Sequence, residues 1–354
     1  MWRLERRRER STLMEWTAPL VAVALTLVAG MALFAALGKD PVATVQVIFV
    51  QPLTEGWSRA ELLVKAAPLA LIAAGLSLGF RAGVWNIGAE GQFVVGAIAG
   101  GAAGLAVYGT QGAWVLPMMC AAGAAAGAAW AMIPAVLRVR FGASEILVSL
   151  MLVYVAVLWL SALVSGPLRD PDGFAFPESR LFHDSARAPI LLAGTRVHVG
   201  AAAAVLVLVG LWFLLRRHVT GFALDLFGQA PRAARFAGFS EARTVVFCLG
   251  VSGALAGLAG TLEAAGPVGQ LVPGLPSGYG FTAIIAAFLG RLHPVGIGVA
   301  SLLLALTYIG GEAAQMTMRL PAAAISVFQG MLLFFLLGAE VFAGWRIRRV
   351  REAG

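Results

Sequence analysis

Charge is what this chain has least of. Only 12% of its 354 residues are charged while 60% are hydrophobic, where a soluble domain carries roughly 25% charge. An ordinary soluble globular protein is therefore excluded. Cysteine is nearly missing too. Cys120 and Cys248 lie in apolar runs and form no CxxC, so no redox or metal motif is present and both read as small buried hydrophobes. No GxxxxGK[ST] occurs; the nearest fragment is Gly38-Lys39-Asp40, and ATP hydrolysis by a phosphate-binding loop is excluded. There is no metal-ligand spacing, no Cys/His pair at helical spacing and no serine nucleophile elbow, so the chain does not read as an enzyme. Asparagine occurs once, at Asn86.

What the chain has is long apolar blocks: 18–37, 62–80, 114–137, 146–164, 199–215, 244–262, 295–309 and 322–342. Blocks near 20 residues match a bilayer core crossed at about 1.5 Å per residue. The fold class is an all-α polytopic membrane protein. Two shorter glycine-rich segments, 93–107 and 281–289, bring the expected count to about ten spans. The opening "MWRLERRRER" reads as a basic anchor before a retained first span, because the run that follows is too long for a signal-peptide core.

Arginine placement tests the count. With the N-terminus inside, 18 basic residues fall in cytoplasmic segments and 8 on the other side, as the positive-inside rule requires. Dropping one short segment would put Arg216–Arg217 and Arg346–Arg351 on opposite sides. Both termini are therefore expected in the cytoplasm. The organisation is a basic tail (1–16), one transmembrane domain (17–345) and a second basic tail (346–354). A long external loop covers 165–198 and a long cytoplasmic loop 216–243. The net charge of +8 is assigned to arginines beside anionic lipid rather than to nucleic acid.

The two short segments lie five spans apart, so they run in opposite directions. Paired interrupted segments in inverted halves mark a central substrate path. Around the first stand Asn86, Glu90 and Gln92. A carboxylate at membrane depth is costly and by default faces an aqueous cavity or a partner group. Two readings stay open: these groups present an amide and a carboxylate to a path, or they cap a helix end. Tyr279, Phe281 and Thr282 begin the second segment, and Phe281 is placed to stack on a base or sugar ring or simply to pack. Glu263 and Gln315 sit near outer span ends, as vestibule lining or as interfacial polar residues. The external loop reads equally as a docking site and as a passive connector.

In the cytoplasmic loop, "FGQAPRAARFAGFSEAR" predicts a short helix. Pro231 suits the first helical position and Gly238 the C′ position. Arg232 and Arg235 are three apart on one face, and Phe236 and Phe239 are expected together on another. Such a helix can be pushed by a partner protein or can rest on lipid headgroups.

A glycine followed by Ala-Ala-x-x-x-Gly between two spans resembles the coupling loop of ABC importer permeases. Over about 62–342 the sequence resembles bacterial permeases for nucleosides and simple sugars, which work with basic-membrane-protein-type binding lipoproteins. The stretches that carry this are "GVWNIGAEGQ", "RFGASEILVSLML", "GPLRDPDGFAFPES", "GQAPRAARFAGF", "SGALAGLAG", "YGFTAIIAAFLGRLHPVGI" and "GGEAAQ". One departure is Ala230, where such permeases often carry Asn. The resemblance implies a half-transporter in a bacterial inner membrane. A second permease subunit, identical or different, completes the pore. Two cytoplasmic ATPases drive it and an extracytoplasmic binding lipoprotein feeds it. It implies ATPase coupling through Pro231, Arg232, Ala234, Arg235, Phe236, Gly238 and Phe239, and no cofactor. The expected cargo is a nucleoside, with a ribose-like sugar as the alternative. A different class, an ion-coupled secondary transporter, would use Glu90 or Glu263 as its coupling carboxylate.

Overall fold

The helices begin and end where the sequence places capping chemistry. Asp40 accepts the backbone N–H groups of Val42 and Ala43, with Pro41 at the first helical position. Ser144 and Ser240 cap later helices in the same way. The computed structural model describes residues 2–6, 12–174 and 176–349. In chain order it contains β1 (Trp2–Arg6), α1 (Thr12–Ala36), α2 (Pro41–Phe49), α3 (Gln51–Thr54), α4 (Gly56–Arg81), α5 (Ala89–Ala106), α6 (Val115–Phe141) and α7 (Glu145–Ser165). There follow α8 (Val199–Arg217), α9 (Val219–Gln229), α10 (Pro231–Phe236), α11 (Glu241–Glu263), α12 (Tyr279–Leu289), α13 (Pro294–Met318), α14 (Ala322–Gly344) and β2 (Trp345–Arg349). A π-helical turn, Ala264–Val268, extends α11.

Seven helices among the described residues are long and apolar enough to cross a bilayer: α4, α6, α7, α8, α11 with its π turn, α13 and α14. The expected count of about ten exceeds this by α1, α5 and α12. The apolar described part of α1 runs only Leu20–Ala36, and α12 has 11 residues. The first turns of α5 carry Glu90 and Gln92, which dilute its apolar character.

The chain forms two compact units. One comprises Met1–Arg59 with Leu306–Gly354. Within it α1 packs along α14, around a core of Phe34, Ile48, Ala314, Leu320, Ile325 and Phe328. The rings of Phe34 and Phe328 stack at 6.1 Å. β1 and β2 pair antiparallel, with Trp2 opposite Arg349.

The other unit is Ala60–Ala305. Its centre is α5, α6 and α11, where glycines take the place of side chains. A Cβ added at Gly96 or Gly127 would overlap the Gly257 backbone, and one at Gly260 would overlap the Phe93 carbonyl. In lipid, helices associate through such close van der Waals packing, because burial of apolar surface offers them no advantage over lipid tails. α4 is buried along most of its length, whereas α7 and α8 turn most of their surface outward. That outward surface is apolar, with Leu147, Tyr154, Leu158, Leu206 and Phe213 exposed, the surface a bilayer would solvate.

The segment after α7 is not a free connector. Its backbone is hydrogen-bonded to the linker between α11 and α12. Ser179 N–H donates to the Leu271 carbonyl at 2.9 Å, Phe182 N–H to Gly269 at 2.8 Å and Ala188 N–H to Ala265 at 2.9 Å. Gln270 adds a side-chain bond to Glu178 at 3.0 Å.

Candidate functional site

The polar residues flagged in the sequence gather where short α5 meets short α12. Glu90 lies in the first turn of α5 and is only 2% exposed. Its carboxylate accepts the backbone N–H of Gly278 at 2.9 Å and of Gly280 at 2.5 Å. These amides are the free donors at the start of α12, so one anion faces the N-terminal ends of two helices. That is where the helix dipoles favour negative charge. Two glycines make the contact possible. Gly278 has φ +79°, a conformation that L side chains rarely adopt, and a Cβ at Gly280 would overlap the Glu90 backbone.

Asn86 and Gln92 pair by their amides. Asn86 Nδ2 donates to Gln92 Oε1 at 2.8 Å, and Gln92 Nε2 donates back to Asn86 Oδ1 at 3.0 Å. Asn86 Nδ2 also donates to Ser252 Oγ on α11 at 2.9 Å, and Asn86 Oδ1 accepts Gly88 N–H at 3.1 Å. Both amides are buried with their partners supplied, as a polar group in an apolar interior requires. The network fixes the non-helical stretch between α4 and α5 against α11.

Glu263, at the end of α11, is buried and accepts the Tyr279 hydroxyl at 3.3 Å. Its other oxygen, Oε2, has no hydrogen-bond partner among the described residues. Tyr279 is fully buried, its ring 5.8 Å from that of Phe93, and Lys65 Nζ stands 5.7 Å from its centroid. The first turn of α12 is thus held by two carboxylates, Glu90 through the backbone and Glu263 through a phenol. Next to it Thr282 is buried, while the Phe281 side chain is 39% exposed. Gln315 is half-buried on α13, in the other unit. Sequence reasoning missed Ser252 and Gly278. Both lie in or beside quoted stretches, but their partners are 166 and 188 residues away, and no local pattern carries that pairing.

The loop between α8 and α11 folds into α9 and α10. Pro231 opens α10 and Gly238 closes it in a left-handed turn, with Gly238 N–H on the Arg235 carbonyl and Phe239 N–H on that of Ala234, a Schellman ending. Ala234 is buried, Arg232 and Arg235 are exposed, and Arg235 pairs loosely with Glu241 at 3.8 Å. Phe236 is 93% exposed. Phe239 does not share its face: the turn at Gly238 carries it off the helix, half-buried, with its ring 6.3 Å from Phe222. Arg81, ending α4, ties this loop down through Asp225 on α9 at 2.8 Å. Partial burial and the neighbouring Arg216 and Arg81 hold the His293 imidazole below its ordinary range.

Seven helices long and apolar enough to cross a bilayer, with a buried polar junction between two shorter ones, are the build of a multi-pass membrane protein. The chain belongs to the family described as "Branched-chain amino acid transport system / permease component", whose profile matches residues 58–337. It is similar to the glucose ABC transporter permease TsgB13 of Haloferax volcanii, 36% identical over 352 residues, 96% of this chain and 92% of the relative. It is also similar to two Bacillus subtilis guanosine ABC transporter permeases. NupP is 30% identical over 325 residues, 90% of this chain and 92% of the relative. NupQ is 29% identical over 242 residues, 66% of this chain and 75% of the relative. No solved structure matches it at a significant level. The chain is therefore a permease subunit of an ABC transport system, a transport component rather than an enzyme.

Proposed function

We propose that this chain forms half of the translocation path of an ATP-driven nucleoside importer in a cell inner membrane. It crosses that membrane about ten times as one domain over 17–345, with both ends and the 216–243 loop inside. A second permease subunit completes the pore, two ATPases drive the pair, one of them docking on α10 of this chain, and an extracytoplasmic binding lipoprotein delivers cargo. The resemblance to two guanosine permeases of one organism favours a pore of two different subunits.

The observation that carries the coupling reading is Phe236. It is an aromatic side chain 93% exposed on a short capped helix whose loop is pinned to α4. An exposed aromatic flanked by arginines is the composition of a protein interface. Asn86, Glu90, Gln92, Glu263, Tyr279, Phe281, Thr282 and Gln315 are assigned to the path. Within that set, Glu90 builds its wall by holding α5 to α12, and Asn86 with Gln92 by holding the stretch before α5 to α11. Phe281, 39% exposed, is the group offered to cargo ring faces, and Glu263 holds the first turn of α12 behind it through Tyr279.

The glucose permease relative supports a sugar as the second reading. Uptake of radiolabelled uridine, adenosine, ribose and glucose into proteoliposomes separates the two. With ATPase, binding protein and second permease present, ATP-dependent nucleoside uptake is expected. Sugar uptake alone would move the assignment to the second reading. Uptake by this chain alone on a proton or Na⁺ gradient would overturn both.

A further inference from the structure

α12 is held at its inner end as firmly as at its outer end. Phe288, in its last turn, has its ring 4.8 Å from Phe80 and 5.7 Å from Trp85. Beyond it the chain turns through Arg291 and Leu292, both at φ +54°. Two successive non-glycine residues in the left-handed region are costly and persist only where their surroundings impose them. The turn closes on its own backbone, with Arg291 N–H on the Phe288 carbonyl and Leu292 N–H on that of Ala287, both at 2.8 Å, and it is gripped from outside by Arg81. Its Nε and Nη2 both donate to the Leu292 carbonyl, at 3.1 and 3.0 Å. Its Nη1 donates to Asp225 Oδ1 at 2.8 Å. Asp225 lies on α9, which sits so close to the end of α4 that a Cβ at Gly228 would overlap the Arg81 carbonyl.

We infer that Arg81 is the positioning residue that transmits movement of the α9–α10 loop to α12. The inference rests on the reading that this loop takes the push of an ATPase. One planar guanidinium grips the loop by a carboxylate and the inner turn of α12 by a backbone carbonyl. Because the second grip is on the main chain, displacement of α9 pulls on the turn itself rather than on a side chain that can rotate. α12 in turn carries Gly278, Tyr279 and Gly280 to the Glu90 and Glu263 carboxylates, so its movement alters the junction at the far end. Lysine keeps the charge but lacks the fork needed to hold both partners at once.

The test uses the assembled transporter in proteoliposomes, with the radiolabelled nucleoside or sugar that the wild-type complex accumulates. Absence of ATP-driven uptake by the wild type would defeat the importer reading itself, before any variant is compared. Arg81→Lys and Asp225→Asn are then measured for assembly, ATP hydrolysis and uptake. Hydrolysis is expected at the wild-type level, while cargo moved per ATP falls roughly 5- to 150-fold, the usual span of coupling between sites. Asp225→Glu, which restores the pair, is expected to recover the ratio. The inference is overturned if the ratio is unchanged in both variants. It is also overturned if hydrolysis and uptake fall in proportion, or if neither variant assembles, since those outcomes assign the group to docking or folding alone.

Discussion

Glu90 is a carboxylate whose donors are fixed by backbone, at 2.5 and 2.9 Å, in a buried place. Glu90→Gln keeps one acceptor for one backbone N–H but turns an N–H₂ toward the other. The loss of charge-assisted bonds costs about 1.5–3 kcal/mol. A lowered melting temperature in detergent is expected, with uptake falling alongside it. An unchanged melting temperature with uptake abolished would instead make Glu90 a direct cargo ligand. His198 gives a second residue-scale test. It is buried at the start of α8 and accepts Gly200 N–H on Nδ1 at 3.1 Å, while its Nε2 has no partner among the described residues. Burial lowers its pKa below the ordinary 6.5. The folded chain then holds fewer protons than the unfolded one as pH falls through that value. Stability present at neutral pH is therefore lost on acidification. Between about pH 7.5 and about pH 5.5 the melting temperature should drop, and His198→Gln should flatten the slope. An equal slope in the variant would show that other groups set it.

Among the elements, α11 is the one least tolerant of added volume. Gly257 faces Gly96, Gly123 and Gly127, so Gly257→Val forces helices apart and costs about 1–3 kcal/mol or more. On α8, Gly210 has nothing within 4 Å, and Gly210→Ala should be neutral or slightly stabilising through helix propensity. Melting temperatures of the pair check the contrast; equal effects would mean α11 is not packed this way. These elements were legible in the sequence to different depths. Apolar length gave the long spans, and Pro231 with Gly238 gave both ends of α10, because caps are local chemistry. The polar residues around 86–92 and 279–282 pointed to special segments. That Glu90 answers Gly278 and Gly280 was not legible, since a backbone donor has no residue signature. The left-handed turn that separates Phe239 from Phe236 likewise overrides the helical spacing that had put them on one face. The strap from 179–188 onto 265–271 is built of main-chain bonds and was equally silent.

For the molecule as a whole, the decisive property is which way it sits. α8 is a single apolar helix with half-buried Thr195 four residues before it and exposed His218 just after. If it crosses the bilayer, these two residues lie on opposite sides. On the orientation expected from the basic residues, 18 against 8, His218 and the α9–α10 loop lie inside. In a background with Cys120 and Cys248 replaced by alanine, a membrane-impermeant maleimide should label Thr195→Cys in intact cells and His218→Cys only after lysis. The reverse pattern would carry Phe236 and Arg81 to the outer face, where no ATPase could reach them. The coupling reading and the role of Arg81 would then fail together, while the junction of Glu90 with α12 would stand unchanged. Labelling of both sites in intact cells would mean that α8 does not span, and the polarity of every later helix would have to be drawn again.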